Sequence, residues 1–293
     1  MATELPAVSV VIPARNAAAT IGEQLAALSR QEYSGRWEVI VADNGSSDST
    51  ARIAAEWVPS FARLRLVSAC QRRGINVARN AGIRAATGEV ILGCDADDVV
   101  APGWVSALAE ALQHFDAVGG SIDETSLNPP EVMAWTPRMS PPGLEGPLPY
   151  PHGSNCGFRT SAWRELGGFN ETYRRGGTET EFFWRLQLAS FRVGFEPRAV
   201  VMYRRRSSQL ALLRQYFWWG YGRAHLHRDL ALVMTPALSL RMALRAAVRG
   251  RPPSRLADCW QLAMYAGCAA GRARFTFADG VVAKHASPRE ARG

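Results

Sequence analysis

The sequence has no apolar run long enough to cross a bilayer and no N-terminal segment with the order of a secretory signal. Its first residues, MATELPAVSVVIPARN, enter a strand-like run directly. A secretory signal instead carries a charged segment, an apolar segment and small residues before its cleavage site, and a spanning helix needs about 20 consecutive apolar residues. From these absences we expect a cytoplasmic protein.

Cysteine is scarce as well. The 293 residues include five cysteines, an odd number without the close pairs that bind zinc. Cysteines of this kind are expected to be reduced thiols in or near the core. We therefore assign them no catalytic role.

Acidic residues are almost missing from residues 198–255. This segment holds twelve arginines and one acid, Asp229, so its formal charge is about +11. Such a cationic segment suits phosphates, an anionic membrane surface or nucleic acid, although a solvated helix face is the commonest explanation. The arginines at 204–206, followed by five aromatic residues between positions 216 and 221, favour peripheral binding at the inner face of the cell membrane. We expect no nucleic-acid partner.

Short apolar runs dominate the first hundred residues and predict buried strands. They lie at residues 8–12, 38–42, 64–67 and 90–92, and helical periodicity or small residues between them predict helices. One of these helices is predicted to end at Gly88. Strands that alternate with helices across short loops specify a parallel sheet with right-handed crossovers. Ligands of such sheets bind outside the carboxyl ends of the strands.

The remaining sequence is less regular. Residues 128–151 are rich in proline and glycine without periodicity, which predicts a loop or lid. Other predicted elements are helices at 104–114 and 181–190, a strand at 118–122 and a strand ending at 201. Beyond these we predict arginine-rich helical pieces broken at Pro236, Pro252 and Pro253, a last helix at about 256–270 and a frayed tail after residue 279.

Three carboxylates stand together where the fourth predicted strand ends. They are Asp95, Asp97 and Asp98 in the stretch GEVILGCDADDVVAP. Because like charges repel, a cation is expected among them, and hard oxygen ligands suit Mg²⁺ or Mn²⁺. An acidic surface turn that caps the next helix is the alternative. Asp43 follows the second strand in the same way, and two strand-end acids in one sheet favour a binding site.

Five segments in one order resemble the GT-A fold family 2 glycosyltransferases. The resemblance covers residues 7–205 and rests on VSVVIPARN, EVIVADNGSSDST, GINVARNAGIRAATGEVILGCDADD, NCGFRTSAWRELGGFNE and GGTETEFFWRL. It implies an α/β fold of GT-A type, a Rossmann-like and mostly parallel sheet with flanking helices, followed by a C-terminal helical extension. The expected division is a catalytic domain at 1–205, with a nucleotide-binding half at 1–120 and an acceptor-side half at 121–205, and an arginine-rich extension at 206–293.

The resemblance also implies a nucleotide-sugar site in the first half. Pro13, Arg15 and Asn16 would end the first strand beside the nucleotide, and Asp43 would read the base. Arg79 lies in the segment that would approach the diphosphate. The implied donor is a nucleoside-diphosphate sugar, with a UDP-sugar favoured, and the acceptor is an unidentified hydroxyl.

The metal and the catalytic base follow from the same resemblance. Asp97 would bind Mn²⁺ or Mg²⁺ directly, while Asp95 would contact the ribose or a metal-bound water. Glu179 would be the general base. The family usually has Glu-Asp followed by a further acid there, whereas this chain has Thr-Glu-Thr-Glu at 178–181, and Ala42 stands where many relatives carry an acid.

These residues predict an inverting, metal-dependent glycosyltransferase. A metal ion would stabilise the departing diphosphate, and a carboxylate on the opposite face of the sugar would deprotonate the attacking hydroxyl. One alternative is a nucleotidyltransferase that makes sugar nucleotides, although PARNAAAT lacks the glycine-rich phosphate loop typical of that class. The other is a non-catalytic module that binds nucleic acid or membrane through its arginines, which leaves the strand-end acids unexplained. The oligomeric state stays open.

Overall fold

Strands and helices alternate along the part of the chain that the computed structural model describes, residues 5–136, 148–230 and 262–274. The strands are β1 (Val8–Ala14), β2 (Trp37–Asp43), β3 (Leu64–Ser68), β4 (Val90–Cys94), β5 (Val99–Val100), β6 (Ala117–Asp123), β7 (Asn155–Arg159) and β8 (Val193–Met202). The helices are α1 (Ile21–Leu28), α2 (Thr50–Glu56), α3 (Ile75–Ala85), α4 (Trp104–Ala111), α5 (Pro130–Trp135), α6 (Thr160–Glu165), α7 (Thr180–Leu188) and α8 (Gln209–Leu230). Residues 262–274 are also helical.

The strands form one eight-stranded sheet in the order β3-β2-β1-β4-β7-β6-β8-β5. β1 pairs in parallel with both β2 and β4, and β2 pairs in parallel with β3. β7 is antiparallel to its neighbours β4 and β6, whereas β6 and β8 are parallel. The predicted α/β class with a mostly parallel sheet is therefore confirmed, with β7 as an antiparallel insertion in its middle.

Helices cover both faces of this sheet. Along β1, Val10 packs into one hydrophobic cluster with α1 and α4, and Val11 packs into the opposite cluster with Phe158 and Phe182. Successive strand residues point to opposite faces, so a strand covered on both sides needs an unbroken apolar run. This is why the sequence predicts β1, β2 and β4.

Some of the predicted boundaries are wrong: α4 ends at Ala111 rather than at residue 114, and α7 ends at Leu188 rather than at residue 190. α3 ends at Ala85 rather than Gly88, because Ala86 has an extended backbone with ψ of 145°. Gly88 instead lies against β1, where a Cβ would come 2.5 Å from the backbone nitrogen of Ser9. Within the predicted loop 128–151, Pro130 occupies the first turn of helix α5, a position that proline tolerates because its missing N–H has no helical acceptor there.

The cationic segment is not a uniform surface. Three of its arginines contact acids from other parts of the chain, which the linear sequence does not reveal. Arg198 pairs with Glu110 and Glu196. Arg204 pairs with Glu23 at 2.7 Å. The third arginine, Arg205, is buried and pairs with Glu124.

The chain divides into two compact units. One contains residues 1–174 and 178–205, and the other contains residues 175–177 and 206–293. Among the described helices, none is long and apolar enough to span a bilayer. The predicted breaks at Pro236, Pro252 and Pro253, the start of the predicted last helix and the predicted tail lie outside the described residues, as do residues 137–147 of the predicted lid.

Candidate active site

The three carboxylates that follow β4 converge. One oxygen each from Asp95, Asp97 and Asp98 lies within 4.8 Å of the others, with Asp95 and Asp97 half-buried and Asp98 buried. One divalent ion with oxygen ligands at about 2.0–2.6 Å can span that separation. The donor set, all carboxylate oxygen, also suits Mg²⁺ or Mn²⁺. We call residues 95–98 the carboxylate loop.

Helix α1 holds the backbone of the carboxylate loop. Thr20 Oγ1 donates to the carbonyl of Ala96 at 3.0 Å, and Gln24 Nε2 donates to the carbonyl of Asp95 at 3.1 Å. Gln24 is fully buried, and its Oε1 also accepts from the Val100 N–H at 3.0 Å. These bonds fix the path of the chain through the acids, which limits the rearrangement needed to bind an ion.

The segment that follows β8 holds the loop from a second direction. The backbone N–H of Arg204 donates to Asp98 Oδ1 at 2.8 Å, and its Nε donates to the carbonyl of Asp97 at 2.9 Å. The buried acid of the three, Asp98, is thus tied to the segment that follows β8. Asp95 and Asp97 are then the carboxylates best suited to an ion or a bound nucleotide.

Arg79 lies between the carboxylate loop and Glu179, the predicted base. Its guanidinium lies 3.9 Å from an Asp95 oxygen and 3.9 Å from a Glu179 oxygen. The side chain is only 8% exposed, and it stacks over the Phe169 ring at 5.5 Å. A Cβ on Gly153 would come 2.3 Å from Arg79 Nη2, so a larger residue there would displace the guanidinium. Coulomb interactions are strengthened by such burial, and Arg79 therefore balances acids on both sides of the site.

Two asparagines on the same helix fix the segment that carries Glu179. Asn76 Nδ2 donates to the carbonyls of Asn170 and Thr178 at 2.9 and 3.0 Å. Asn80 donates to the Phe169 carbonyl at 2.8 Å and accepts from the Phe169 N–H at 3.0 Å. Both asparagines are buried. The helical spacing of residues 76, 79, 80 and 83 indicates that these side chains share one face of a helix. Polar side chains on a helix are usually solvated, however, so the sequence does not predict that the two asparagines are buried.

Glu179 and Glu181 have different surroundings. Glu179 precedes the first residue of α7, is half-buried, and its Oε2 accepts from Thr178 Oγ1 at 2.5 Å. Glu181 is buried and binds Arg185 through both oxygens, at 2.6 and 3.0 Å. Arg185 in turn donates to the carbonyls of Leu166 and Gly168. Glu181 is therefore part of a structural network, while Glu179 shares Arg79 with the carboxylate loop.

The predicted nucleotide residues lie at the adjoining strand ends. Asp43 is the last residue of β2 and pairs with Ala14 at the end of β1. Its carboxylate accepts from the Ser46 side chain, and Ser46 Oγ accepts from the Asn16 N–H at 3.0 Å. Pro13 is half-buried in β1, whereas Arg15 and Asn16 are exposed. Because β2 and β4 flank β1 in parallel, Asp43 and Asp95 lie at the same edge of the sheet.

The backbone N–H groups of residues 16–18, in the loop after β1, already have hydrogen-bond partners within the protein. The N–H of Asn16 binds Ser46, that of Ala17 binds Thr50 Oγ1 at 2.8 Å, and that of Ala18 binds Asp48 Oδ2 at 3.1 Å. A phosphate cradle needs free backbone N–H groups. This geometry disfavours the nucleotidyltransferase alternative.

A buried thiol lies close to these charges. Burial raises the pKa of Cys156 to about 12, against the opposing effect of Arg79, and the acids Asp95 and Glu179 raise it further. The thiol therefore stays protonated at neutral pH and is a poor nucleophile.

The chain is similar in sequence to known glycosyltransferases. Residues 9–167 match the sequence model of a family described as "Glycosyl transferase family 2". EpsE of Bacillus subtilis (strain 168), which carries the name of a glycosyltransferase, is 27% identical over 231 residues, covering 75% of this chain and 80% of EpsE. Glycosyltransferase AglE of Haloferax volcanii is 33% identical over 131 residues, or 44% of this chain and 43% of AglE.

Solved structures share the fold. The mannosyltransferase PcManGT of Pyrobaculum calidifontis, solved with GDP-Man and Mn²⁺, superimposes with a TM-score of 0.62 at 24% identity, over 98% of this chain and 82% of its own. S. aureus TarS 1-349, solved with UDP-GlcNAc, has a TM-score of 0.56 at 15% identity, over 92% of each chain. At these identities the likeness concerns the fold.

Proposed function

The chain belongs to glycosyl transferase family 2, and we propose that it is an inverting, metal-dependent transferase that moves a sugar from a nucleoside diphosphate to an acceptor hydroxyl. One observation carries the proposal. Arg79 lies 3.9 Å from both Asp95, in the carboxylate loop, and Glu179, so an acid for the metal and an acid for the acceptor share one buried cation.

The carboxylate loop would hold Mn²⁺ or Mg²⁺, with Asp97 as the direct ligand and Asp95 on the ribose or a metal-bound water. A divalent ion there supplies positive charge that stabilises the departing diphosphate. In support, the relative PcManGT was solved with Mn²⁺. Asp43 would read the base, Pro13, Arg15 and Asn16 would border the nucleotide, and Arg79 would approach the diphosphate.

The transfer is a single displacement. The Glu179 carboxylate accepts the proton of the acceptor hydroxyl as its oxygen bonds to the anomeric carbon. The bond from that carbon to the phosphate oxygen breaks, and its electron pair stays on the diphosphate. Attack from the face opposite the leaving group inverts the anomeric centre. Residues 1–120 are proposed as the nucleotide half and 121–205 as the acceptor half, with 206–293 as an extension.

The donor is proposed to be a UDP-sugar, with GDP-mannose as the second choice because the two solved relatives bind UDP-GlcNAc and GDP-Man. A thermal-shift screen of UDP, GDP, ADP and CDP with and without Mn²⁺ tests this. A bound diphosphate stabilises by about 2.7 kcal/mol at 100 times its Kd. We expect UDP to raise the melting temperature and Mn²⁺ to enlarge the rise. If none of the four acts with Mn²⁺, the proposed function is wrong.

The stereochemistry has a separate test. Proton NMR during hydrolysis of the α-linked donor chosen by the screen should show the β-anomer of the free sugar first, before mutarotation. Initial release of the α-anomer would contradict the single displacement.

We further propose that the protein works in the cytoplasm, bound peripherally to anionic lipid at the inner face of the cell membrane. The support is the composition of α8, where Arg214, Arg223 and Arg228 accompany aromatic side chains. Cations beside interfacial aromatic rings are typical of proteins that lie on a membrane surface.

A further inference from the structure

Strand pairing fixes the backbone of Asp43 but not the orientation of its carboxylate. Asp43 pairs with Ala14 of β1 and with Ser68 of β3, at the last position of both ladders. These backbone bonds do not set the two side-chain torsions of an aspartate. Among the described residues, Ser46 is the one that hydrogen-bonds this carboxylate. The direction in which the Asp43 oxygens point therefore depends on Ser46.

Two groups of Ser46 donate to the Asp43 carboxylate. The backbone N–H lies 3.3 Å from both oxygens, and the hydroxyl donates to Oδ1. The chain turns back between the two residues at Gly45, whose φ of +71° is a conformation that favours glycine. Oδ1 thus accepts two hydrogen bonds, whereas Oδ2 accepts a share of one and keeps acceptor capacity. Oδ2 is consequently the oxygen that can accept from a ligand.

The proton of the Ser46 hydroxyl has one possible direction. Ser46 Oγ accepts from the Asn16 N–H at 3.0 Å, and a backbone N–H can only donate. An ionised carboxylate can only accept, so the hydroxyl proton must point at Asp43. Asn16 is held in turn, because its Oδ1 accepts from the Ser47 N–H at 2.8 Å. The loops after β1 and β2 are therefore joined at two points on either side of this hydroxyl.

We propose that Ser46 is a positioning residue for base recognition, because its hydroxyl orients the Asp43 carboxylate so that Oδ2 accepts the ring N–H of uracil or guanine. The inference rests on the proposed role of Asp43. Uracil and guanine carry a hydrogen on the ring nitrogen of their pairing edge, whereas cytosine and adenine carry a lone pair there. A fixed acceptor attracts the first two bases and repels the other two. The site therefore selects donors built on UDP or GDP over those built on CDP or ADP.

The same loop offers a matched control. Ser49 is exposed, precedes the first residue of α2 and makes no side-chain capping bond. Ser49→Ala removes a hydroxyl three residues from Ser46 without touching Asp43. Ser46→Thr keeps the hydroxyl in place, and Ser46→Cys keeps the size of the side chain but has a weakly donating thiol. A loss that follows the hydroxyl at position 46 identifies its bond to Asp43 as the cause.

The test measures Kd by isothermal titration of the full chain with Mn²⁺, for UDP against CDP, for GDP against ADP, and for inorganic pyrophosphate, which has no base. In the parent, UDP or GDP should bind at least about tenfold tighter than the other diphosphate of its pair, as expected for one hydrogen bond to a charged group. Ser46→Ala should reduce this ratio about tenfold while the Kd of pyrophosphate changes less than twofold. A purely structural role would not spare pyrophosphate.

The remaining variants have expected results of their own. Ser46→Thr and Ser49→Ala should keep the ratio within about threefold of the parent value. In an Asp43→Ala background, Ser46→Ala should cause no further loss, since residues that act as one unit are not additive. Should Ser46→Ala not fold, Ser46→Cys replaces it, with an expected loss of about threefold. An unchanged ratio in Ser46→Cys would then overturn the inference.

The outcomes separate this inference from the function on which it rests. If neither pyrophosphate nor any of the four nucleotides binds with Mn²⁺, the proposed function is wrong and the role of Ser46 falls with it. If they bind and Asp43→Ala keeps the parent ratio, or if the parent binds both members of each pair equally, the base assignment of Asp43 is wrong as well as the role of Ser46. If Asp43→Ala loses the ratio while Ser46→Ala keeps it, only the role of Ser46 is wrong.

Discussion

Glu179 and Glu181 are two residues apart, yet only Glu179 contacts the buried cation of the site. Both carboxylate oxygens of Glu181 accept hydrogen bonds from Arg185, which also donates to the carbonyls of Leu166 and Gly168. Sequence alone leaves either glutamate available as the base, because both begin the same helix, where the helix dipole favours acids. The choice depends on Arg79, a residue 100 positions away that the chain brings to Glu179.

This difference predicts opposite effects for the substitutions Glu179→Gln and Glu181→Gln. Glu179→Gln keeps size and hydrogen bonding but cannot accept a proton, so kcat should fall about 10²- to 10⁴-fold with the diphosphate Kd unchanged. Glu181→Gln should lower the melting temperature and leave most of kcat. Steady-state kinetics with calorimetric melting would measure both. A larger kcat loss for Glu181→Gln would move the base to that residue.

At the scale of elements, Glu38 of β2 binds three neighbouring parts of the sheet. This buried carboxylate accepts from Ser9 of β1, from the N–H and hydroxyl of Thr87 before β4, and from Arg65 of β3. Burial acts to raise its pKa, but the hydrogen bonds from Thr87 and Ser9 and the charge of Arg65 together lower the pKa below its ordinary value. The charged form therefore stabilises the fold.

The stability that Glu38 contributes depends on pH. Because the pKa is lower in the folded state, the stabilisation is present above the unfolded pKa of about 4.3 and is lost as the pH falls through the folded value. Glu38→Gln should reduce the free energy of unfolding at pH 7 by about 1.5–3 kcal/mol and flatten its decline between pH 5 and pH 3. Urea titrations at several pH values measure this, with the exposed Glu56→Gln as control. An equal decline in parent and variant would contradict the assignment.

The elements also divide into those that the sequence predicts and those that it does not. β1, β2 and β4 are apolar on both faces and were predicted to within two residues. β7 has only Cys156 and Phe158 as apolar residues, and a Cβ on its Gly157 would come 2.9 Å from the side chains of Leu112 and Leu92. Its position between β4 and β6 depends on pairing with strands distant in sequence, for which a single sequence has no local signal.

The supports of the carboxylate loop were missed for a related reason. Gln24 and Arg204 lie 71 and more than 100 residues along the chain from the acids they hold. A glutamine in an amphipathic helix and an arginine in a cationic segment both suggest solvent-exposed side chains. The acids themselves were predictable because they directly follow a buried strand.

At the scale of the whole molecule, fewer arginines remain for a membrane surface than the sequence suggests. Arg198, Arg204 and Arg205 contact acids elsewhere in the chain, whereas Arg214 is exposed. Each basic residue near an anionic bilayer contributes about 1 kcal/mol. Binding through exposed arginines should therefore be reversed by salt.

Vesicle sedimentation measures this association. At low salt the protein should pellet with anionic vesicles and stay in solution with neutral ones, and 0.5 M salt should release it. The variant Arg214→Gln should pellet less than the parent. Equal recovery in the supernatant with both kinds of vesicle at low salt would exclude the membrane role.

The central claim is that the carboxylate loop binds a nucleoside diphosphate through a metal, and Asp97→Ala tests it most directly. Isothermal titration of the diphosphate chosen by the thermal-shift screen, with and without Mn²⁺, would compare this variant with the parent and with Glu56→Gln. We predict that Mn²⁺ strengthens binding to the parent and to Glu56→Gln, that Asp97→Ala loses this enhancement while it keeps the parent circular dichroism spectrum, and that its sugar transfer is abolished. An Asp97→Ala protein with the full Mn²⁺ enhancement and the parent rate of transfer would contradict the account.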